Sequence, residues 1–251
     1  MAVEGLLRRG KAVKAVTRDG RLSLPGADTF PGTLTSDPGD VTKIDTLLQA
    51  LDGCGAVIFC ASASKKGGTA EQVDYQGVVN TAKACLQLKT PRLVVVSSGA
   101  VTKPDSIGYK VTNIFGTDPS RPLWYPVPGT DIMTFKRKGE VELVEAYAGA
   151  PKGVSYTIIR PGGLTDGPLK DVSEIELNQG DTIGGTISRS NLAEVVVEAA
   201  LSPDTENTAF EVFDGSTRGP LQKVFPTTSG YERKANNYPG LFKGLDRSVG
   251  L

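Results

Sequence analysis

The sequence predicts an α/β fold built on a doubly wound parallel sheet, and three observations carry that expectation. The runs AVIFCA (56–61), RLVVVSS (92–98) and VSYTIIR (154–160) are apolar on both faces, as strands buried on both sides are. Helical segments separate them, with apolar residues recurring at i, i+3, i+4 and i+7. The same beat returns downstream, where Leu192, Val195, Val196, Ala199 and Ala200 mark a helix before the strand TAFEVF. Strand and helix alternating in this way place helices over both faces of one sheet.

The elements follow in order. MAVEGLLRRG reads as an amphipathic helix, turning through Gly10 and Lys11 into a Val/Ala-rich strand that ends at Thr17-Arg18-Asp19. Positions 19–40 are polar and rich in Gly and Pro, with GTLT as one short strand. Thr42 and Asp45 have capping-box spacing ahead of a helix whose inner face is Ile44, Leu47, Leu48 and Leu51. After the strand at 56–61, a helix is expected from about Thr69 to Leu88, then the strand at 92–98. The segment 99–130 is a long connection carrying aromatics, including LWYPVPG, which reads either as a binding loop or as a solvated Pro-rich loop. A helix over 131–147 leads to VSYTIIR, and SEIELNQGDTIGG reads as a hairpin turning at Asn178–Asp181. Residues 1–214 are expected to form one domain, and 215–251 a polar tail in which YPGLFKGL docks as a short helix.

Composition narrows the function classes. A chain of 251 residues buries one large core. Its 28 basic and 28 acidic residues are interspersed, so no footprint for nucleic acid is expected. The longest apolar runs are strand-sized, and no transmembrane segment is expected. Cys54, Cys60 and Cys85 lack paired or metal-type spacing and sit in apolar segments, so they read as packed thiols in a reducing compartment, cytoplasm and plastid stroma fitting equally. The chain has no histidine, which excludes Ser-His-Asp triads, histidine proton shuttles and the common His-containing zinc sites.

The segments GDVTKIDTLLQALDGCGAVIFCASAS, VDYQGVVNTAKAC, RLVVVSS, FKRKGEVELVEA and YTIIRPGGLTD, together with ISRSNLAEVVVEA, give the chain its resemblance to a family. It resembles the atypical short-chain dehydrogenase/reductases of the NAD(P)-binding, NmrA-like kind, from the first helix through TAFEVF, and is similar to plant and algal plastid members. The resemblance implies a Rossmann-like sheet with a dinucleotide at the carboxyl ends of its strands. It also implies a strand and a G-x-x-G-x-x-G loop immediately before AVEGLLRRG, where the sequence has only Met1. The fold expectation is therefore Rossmann-like but N-terminally incomplete.

The site residues come from the same resemblance. Arg18 stands where the family meets the adenosine ribose, and a guanidinium there suits a 2′-phosphate, so NADP is expected over NAD. Asp19 is the alternative partner for a ribose hydroxyl, and two solvated turn charges are the bland reading. Asp40 and Val41 match the adenine-contacting pair, with a turn residue and a core valine as the alternative. Ala61, Ser62 and Ala63 match the small residues that let the cofactor pass close to the backbone. Pro161, Gly162 and Gly163 match the segment along the nicotinamide, with Leu164 and Thr165 facing substrate or amide. Reducing members use a Ser and a Tyr-x-x-x-Lys pair, whose lysine lowers the phenol pKa and holds the ribose. Lys136 matches the lysine, with a solvated helix face beside Arg137 and Lys138 as the alternative, and Ser98 matches the serine, with Ser97 beside it and an ordinary polar turn as the alternative. The position four before Lys136 is Ile132, and no lysine in the chain has a tyrosine four residues earlier. Tyr109, Trp124 and Tyr125 are candidates for a substrate lid or for anchoring the loop to the core.

Three functional readings are open at this level. One is an NADP-dependent oxidoreductase acting on an unidentified small molecule, with Ser98 and Lys136 assisting. Another is an NADPH-sensing or assembly protein without turnover, binding a protein partner through 99–130 or the tail. The third is an interaction module that holds no dinucleotide.

Overall fold

In the computed structural model the described residues are 1–64, 67–115, 131–220 and 234–248. The main sheet has five strands in the order β3 (Ala56–Phe59), β4 (Arg92–Val96), β5 (Ser155–Pro161), β10 (Thr208–Asp214) and β7 (Ile175–Asn178). The first four run parallel and β7 is antiparallel to β10. This is the doubly wound α/β sheet that the two-faced apolar runs predict. Along β4, Leu93 and Val95 face one side and Val94 the other, and all three are buried.

One face is covered by α2 (Ile44–Leu51), α3 (Val78–Gln87) and α5 (Ile132–Tyr147), whose Leu47, Leu51, Ala82, Cys85 and Leu143 pack on Val57, Phe59, Leu93 and Ile158. The other is covered by α6 (Arg189–Leu201) and α7 (Tyr238–Phe242), whose Val195, Val196, Leu241 and Phe242 pack on Ile159, Phe210 and Val212. A seven-residue π-helical segment, Glu71–Gly77, leads directly into α3. α4 (Ile107–Phe115) lies within the long 99–130 connection, of which 116–130, including Trp124 and Tyr125, lie outside the described residues.

α1 (Ala2–Arg8), β1 (Ala12–Thr17) and β2 (Thr33–Pro38) form a flanking unit. β1 and β2 pair in parallel, from Ala12 opposite Thr33 to Thr17 opposite Pro38. Arg9 ties α1 to α6 through Glu194 and Glu198, each at 2.6 Å. Among the described residues no strand is hydrogen-bonded between β1 and β3, the position where the family resemblance places one.

Three local expectations are corrected. Thr42 and Asp45 form no capping box: Lys43 is the N-cap without a side-chain bond, and Thr42 instead donates to Asp40 Oδ1 from both its amide (2.9 Å) and its hydroxyl (2.8 Å). The segment 173–185 is not a hairpin: β7 pairs with β10, while β8 (Ile183–Gly184) pairs with β11 (Gly219–Pro220). Two further short strands, β6 (Gly163–Thr165) and β9 (Thr186–Ser188), pair in parallel beside them. Of the three thiols only Cys85 is buried; Cys54 is half-buried and Cys60 is exposed at the end of β3.

Candidate functional site at the carboxyl ends of the strands

The carboxyl ends of β3, β4 and β5 carry most of the residues singled out in the sequence. After β3 come Ala61, Ser62 and Ala63, all half-buried. After β4 come Ser97 and Ser98, and β5 ends in Pro161 with Gly162 and Gly163 following. α5 brings Lys136 to this edge. Its ammonium is 2.7 Å from Asp74 Oδ1, and the side chains are 11% and 0% exposed. Asp74 in turn accepts from Ser62 Oγ at 2.7 Å and from the Ala63 amide at 2.8 Å.

α5 reaches this position because Gly139 lets it approach the π-helical segment at backbone distance: a Cβ there would come within 2.8 Å of the Asp74 carbonyl. The three consecutive cations of FKRKGE then diverge. Lys136 enters the strand ends, Arg137 pairs with Glu140 at 3.1 Å, and exposed Lys138 lies over the Phe135 ring at 5.3 Å. A solvated helix face does not describe Lys136. Ile132, one turn earlier, is 2% exposed and packs with Met133, Ala100 and Val101.

Ser98 and Lys136 are not brought together by a bond. Ser98 donates to the neighbouring Gly99 carbonyl at 3.2 Å. The serine that shares a small cavity with Lys136, Asp74 and Glu140 is Ser97. The close approach that Gly162 permits is within the chain: a Cβ at this position would stand 2.3 Å from the Gly185 carbonyl.

At the other end, Arg18 and Asp40 close β1 and β2. The Thr42 amide and hydroxyl hold the Asp40 carboxyl below its usual range, and the charges of Lys43 and Arg18 act in the same direction. Asp19 is occupied by its own turn, accepting from Thr17 Oγ1 at 3.0 Å and the Arg21 amide at 3.2 Å, which lowers its pKa. Val41 packs half-buried against the main core, and its carbonyl accepts from Asn80 at 3.0 Å.

With this geometry in place, similarity gives the family. A family profile described as NAD(P)H-binding matches residues 1–203. The chain belongs to this NAD(P)H-binding family. The protein is 30% identical over 234 residues to an uncharacterised chloroplastic protein of Arabidopsis thaliana, covering 88% of this chain and 73% of that one. Sanguinarine reductase of Eschscholzia californica is 30% identical over 199 residues, covering 69% and 70% of the two chains. Protein TIC 62, chloroplastic, of Pisum sativum is 27% identical over 191 residues, of whose length this chain spans 32%. Among solved structures, an oxidoreductase from Lactococcus lactis superposes with a TM-score of 0.63 at 17% identity, covering 86% and 85% of the chains. A short-chain dehydrogenase/reductase from Veillonella parvula in complex with NADP superposes with a TM-score of 0.56 at 16% identity, covering 85% and 86%. These structures share the Rossmann-like fold. Among the described residues no helix is long and apolar enough to cross a membrane.

Behind the site this NAD(P)H-binding protein carries a buried charge network that the sequence reading misses. Arg160, fully buried at the end of β5, donates to Glu140 at 2.8 and 3.1 Å and to Glu211 at 3.1 Å. Glu211 Oε2 also accepts from Asn178 at 3.1 Å and the Asp181 amide at 2.9 Å. Asp181 accepts from the Ala100 amide at 2.6 Å and from the Thr102 amide and hydroxyl, both at 2.9 Å. Burial pushes the Glu211 carboxyl up, the Asp181 charge adds to it, and the pKa reaches about 7 despite Arg160. Burial acts on Glu140 in the same sense, but Arg160 and its hydrogen bonds outweigh it and hold the carboxyl low. The available signal was a charged residue inside each apolar run, in TIIRP and FEVF.

A second cavity, of about 130 Å³, opens beyond Gly163 between Thr165, Lys170, Thr186, Ser188 and Asp214. Lys170 pairs with Asp214 there, and Asn191 holds the loop through the Lys170 amide at 3.1 Å and carbonyl at 3.2 Å. Leu164, next in the chain to Thr165 of its lining, is 44% exposed.

Proposed function

We propose that this protein is an NADP-dependent oxidoreductase acting on a small molecule, with the dinucleotide across the carboxyl ends of β1 to β5 and the substrate toward the cavity beyond Gly163. The observation that carries the proposal is the Lys136 ammonium, 11% exposed and set 2.7 Å from Asp74, which is buried against the Ser62–Ala63 segment that follows β3. The residues present fit the ribose, nicotinamide and adenosine parts of the group. A half-buried ammonium beside Ser62 and Ser97 is a donor set for ribose hydroxyls, and Ala61, Ala63 and Gly163 leave the backbone open to close approach. Arg18 near Asp40 suits a 2′-phosphate and adenosine. NADPH supplies a hydride when bound. The chain's own residues orient it: Lys136 holds the ribose, Pro161 to Gly163 line its reactive end, and Ser98 stands at the neighbouring strand end to hydrogen-bond a substrate oxygen. The chloroplastic relatives favour a plastid location.

Ile132 supports a second reading, in which the same pocket senses NADPH without turnover, because that buried aliphatic side chain has no proton to give. Protein partners would then meet the 99–130 segment or the tail.

Thermal unfolding with NADPH and with NADH tests the proposal, since only a ligand of the folded state raises its stability. A larger rise with NADPH is expected, and no rise with either discards the dinucleotide. Consumption of NADPH with a panel of carbonyls and quinones separates enzyme from sensor. Lys136→Ala is expected to weaken binding more than Lys138→Ala, and equal effects would return Lys136 to a surface role.

A further inference from the structure

We infer that Asp74 is a positioning residue of this site, fixing the Lys136 ammonium and the Ser62–Ala63 end of β3 in one rigid arrangement before any cofactor arrives. The inference rests on the proposed dinucleotide site and names a residue that the family resemblance did not supply. Asp74 has no exposed side-chain surface, yet its carboxylate has three partners from two separate elements: Lys136 Nζ and Ser62 Oγ, each 2.7 Å from Oδ1, and the Ala63 amide, 2.8 Å from Oδ2.

A buried carboxylate is costly unless it is paired; the Ser62 hydroxyl and the Ala63 amide each take a different oxygen, and only the ammonium brings the opposite charge. The charge is needed by the ammonium. Lysine is a long, flexible side chain with three donors; one is committed to Asp74, which fixes the direction of the chain and leaves two for other acceptors. The backbone is shaped for the purpose. Asp74 lies inside a π-helical turn, a geometry often found at functional sites, and Gly139 lets α5 close onto its carbonyl. With Ile132 in place of a phenol one turn before Lys136, Asp74 is the acidic anchor that the lysine has.

The test uses the full chain and two readouts. The first is labelling of Lys136 by acetic anhydride, followed residue by residue by mass spectrometry at one fixed pH, with Lys138 as the internal reference. Asp74→Asn is expected to raise labelling of Lys136 several-fold over Lys138, by freeing the ammonium from its partner. The second is NADPH affinity in a double-mutant cycle. Asp74→Asn is expected to cost about tenfold in the wild-type background and less than about twofold in a Lys136→Met background, because Asp74 acts through the lysine. Should Asp74→Asn not fold, Asp74→Glu keeps the charge, displaces it by one methylene, and is expected to lower NADPH affinity several-fold. Equal losses in both backgrounds, unchanged Lys136 labelling, or undiminished affinity in Asp74→Glu would overturn the inference. If the wild-type protein binds no NADPH, the proposed function fails, while the labelling still decides whether Asp74 controls Lys136.

Discussion

Ile132 and Lys136 stand one turn apart on α5 and face different surroundings: the isoleucine is 2% exposed in a small apolar cluster, while the ammonium reaches buried Asp74. The pair preserves the spacing of a phenol and an amine while lacking the phenol. Ile132→Tyr restores it. The larger ring overpacks Met133, Ala100 and Val101, so stability is expected to fall by about 1–3 kcal/mol. NADPH consumption with a carbonyl or quinone panel is expected to exceed that of the wild type, as followed by NADPH absorbance. Consumption no greater than wild type in a folded variant would favour a site that binds without turnover.

The Arg160 network gives stability a pH dependence of determined sign. The folded-state pKa of Glu211 is raised from 4.5 to about 7, so between those values the folded state holds a proton that the unfolded chain has released. This stabilisation is therefore present below the unfolded value and is lost as pH rises through about 7, at most ~3 kcal/mol in all. Urea midpoints at about pH 5 and about pH 8 measure it. Glu211→Gln is expected to flatten this component, and an unchanged pH dependence in that variant would place its origin elsewhere.

How far this architecture could be read from the chain depends on how local each cause is. Leu93, Val94 and Val95 announce a strand covered on both sides, and Ile44, Leu47 and Leu51 announce one helical face, because burial follows a short period in sequence. Thr42 misleads because Asp40, just upstream, competes for it. The 173–185 hairpin misleads for a longer-range reason: Asp181 is claimed by amides of Ala100 and Thr102, about 80 residues away, and β7 finds β10 instead. The Arg160 pairs span 20 and 51 positions, so no window of sequence contains them. At the strand ends, Lys136 stands out through the family resemblance of FKRKGE, although the tyrosine of the pair is missing. Asp74 does not stand out, since nothing local in VDYQG tells that a π turn buries its carboxylate against another helix's lysine.

Arg18 is exposed beside Asp40 at the end of β1. Arg18→Ala is expected to leave folding stability within about 0.5 kcal/mol. NADPH affinity is expected to fall by about tenfold or more, the scale of a charge-assisted contact, with NADH affinity nearly unchanged. Isothermal titration with both cofactors measures the ratio. An unchanged ratio would remove Arg18 from cofactor discrimination.

Asp181 joins the network to the mouth of the site. Its backbone is left-handed, φ 55°, a conformation asparagine also adopts with little strain, so Asp181→Asn isolates the carboxylate. The Ala100 and Thr102 amides and the Thr102 hydroxyl all donate to Asp181, and an amide oxygen accepts fewer of them, with its NH2 turned toward the remainder. A loss of about 1–3 kcal/mol is expected, together with faster hydrogen exchange at the Ala100 and Thr102 amides. The substitution also removes the like charge beside Glu211, so the decline of stability between about pH 5 and about pH 8 should shrink in the same variant. Faster exchange with an undiminished pH response would mean that burial alone raises Glu211, leaving Asp181 to hold the loop after β4.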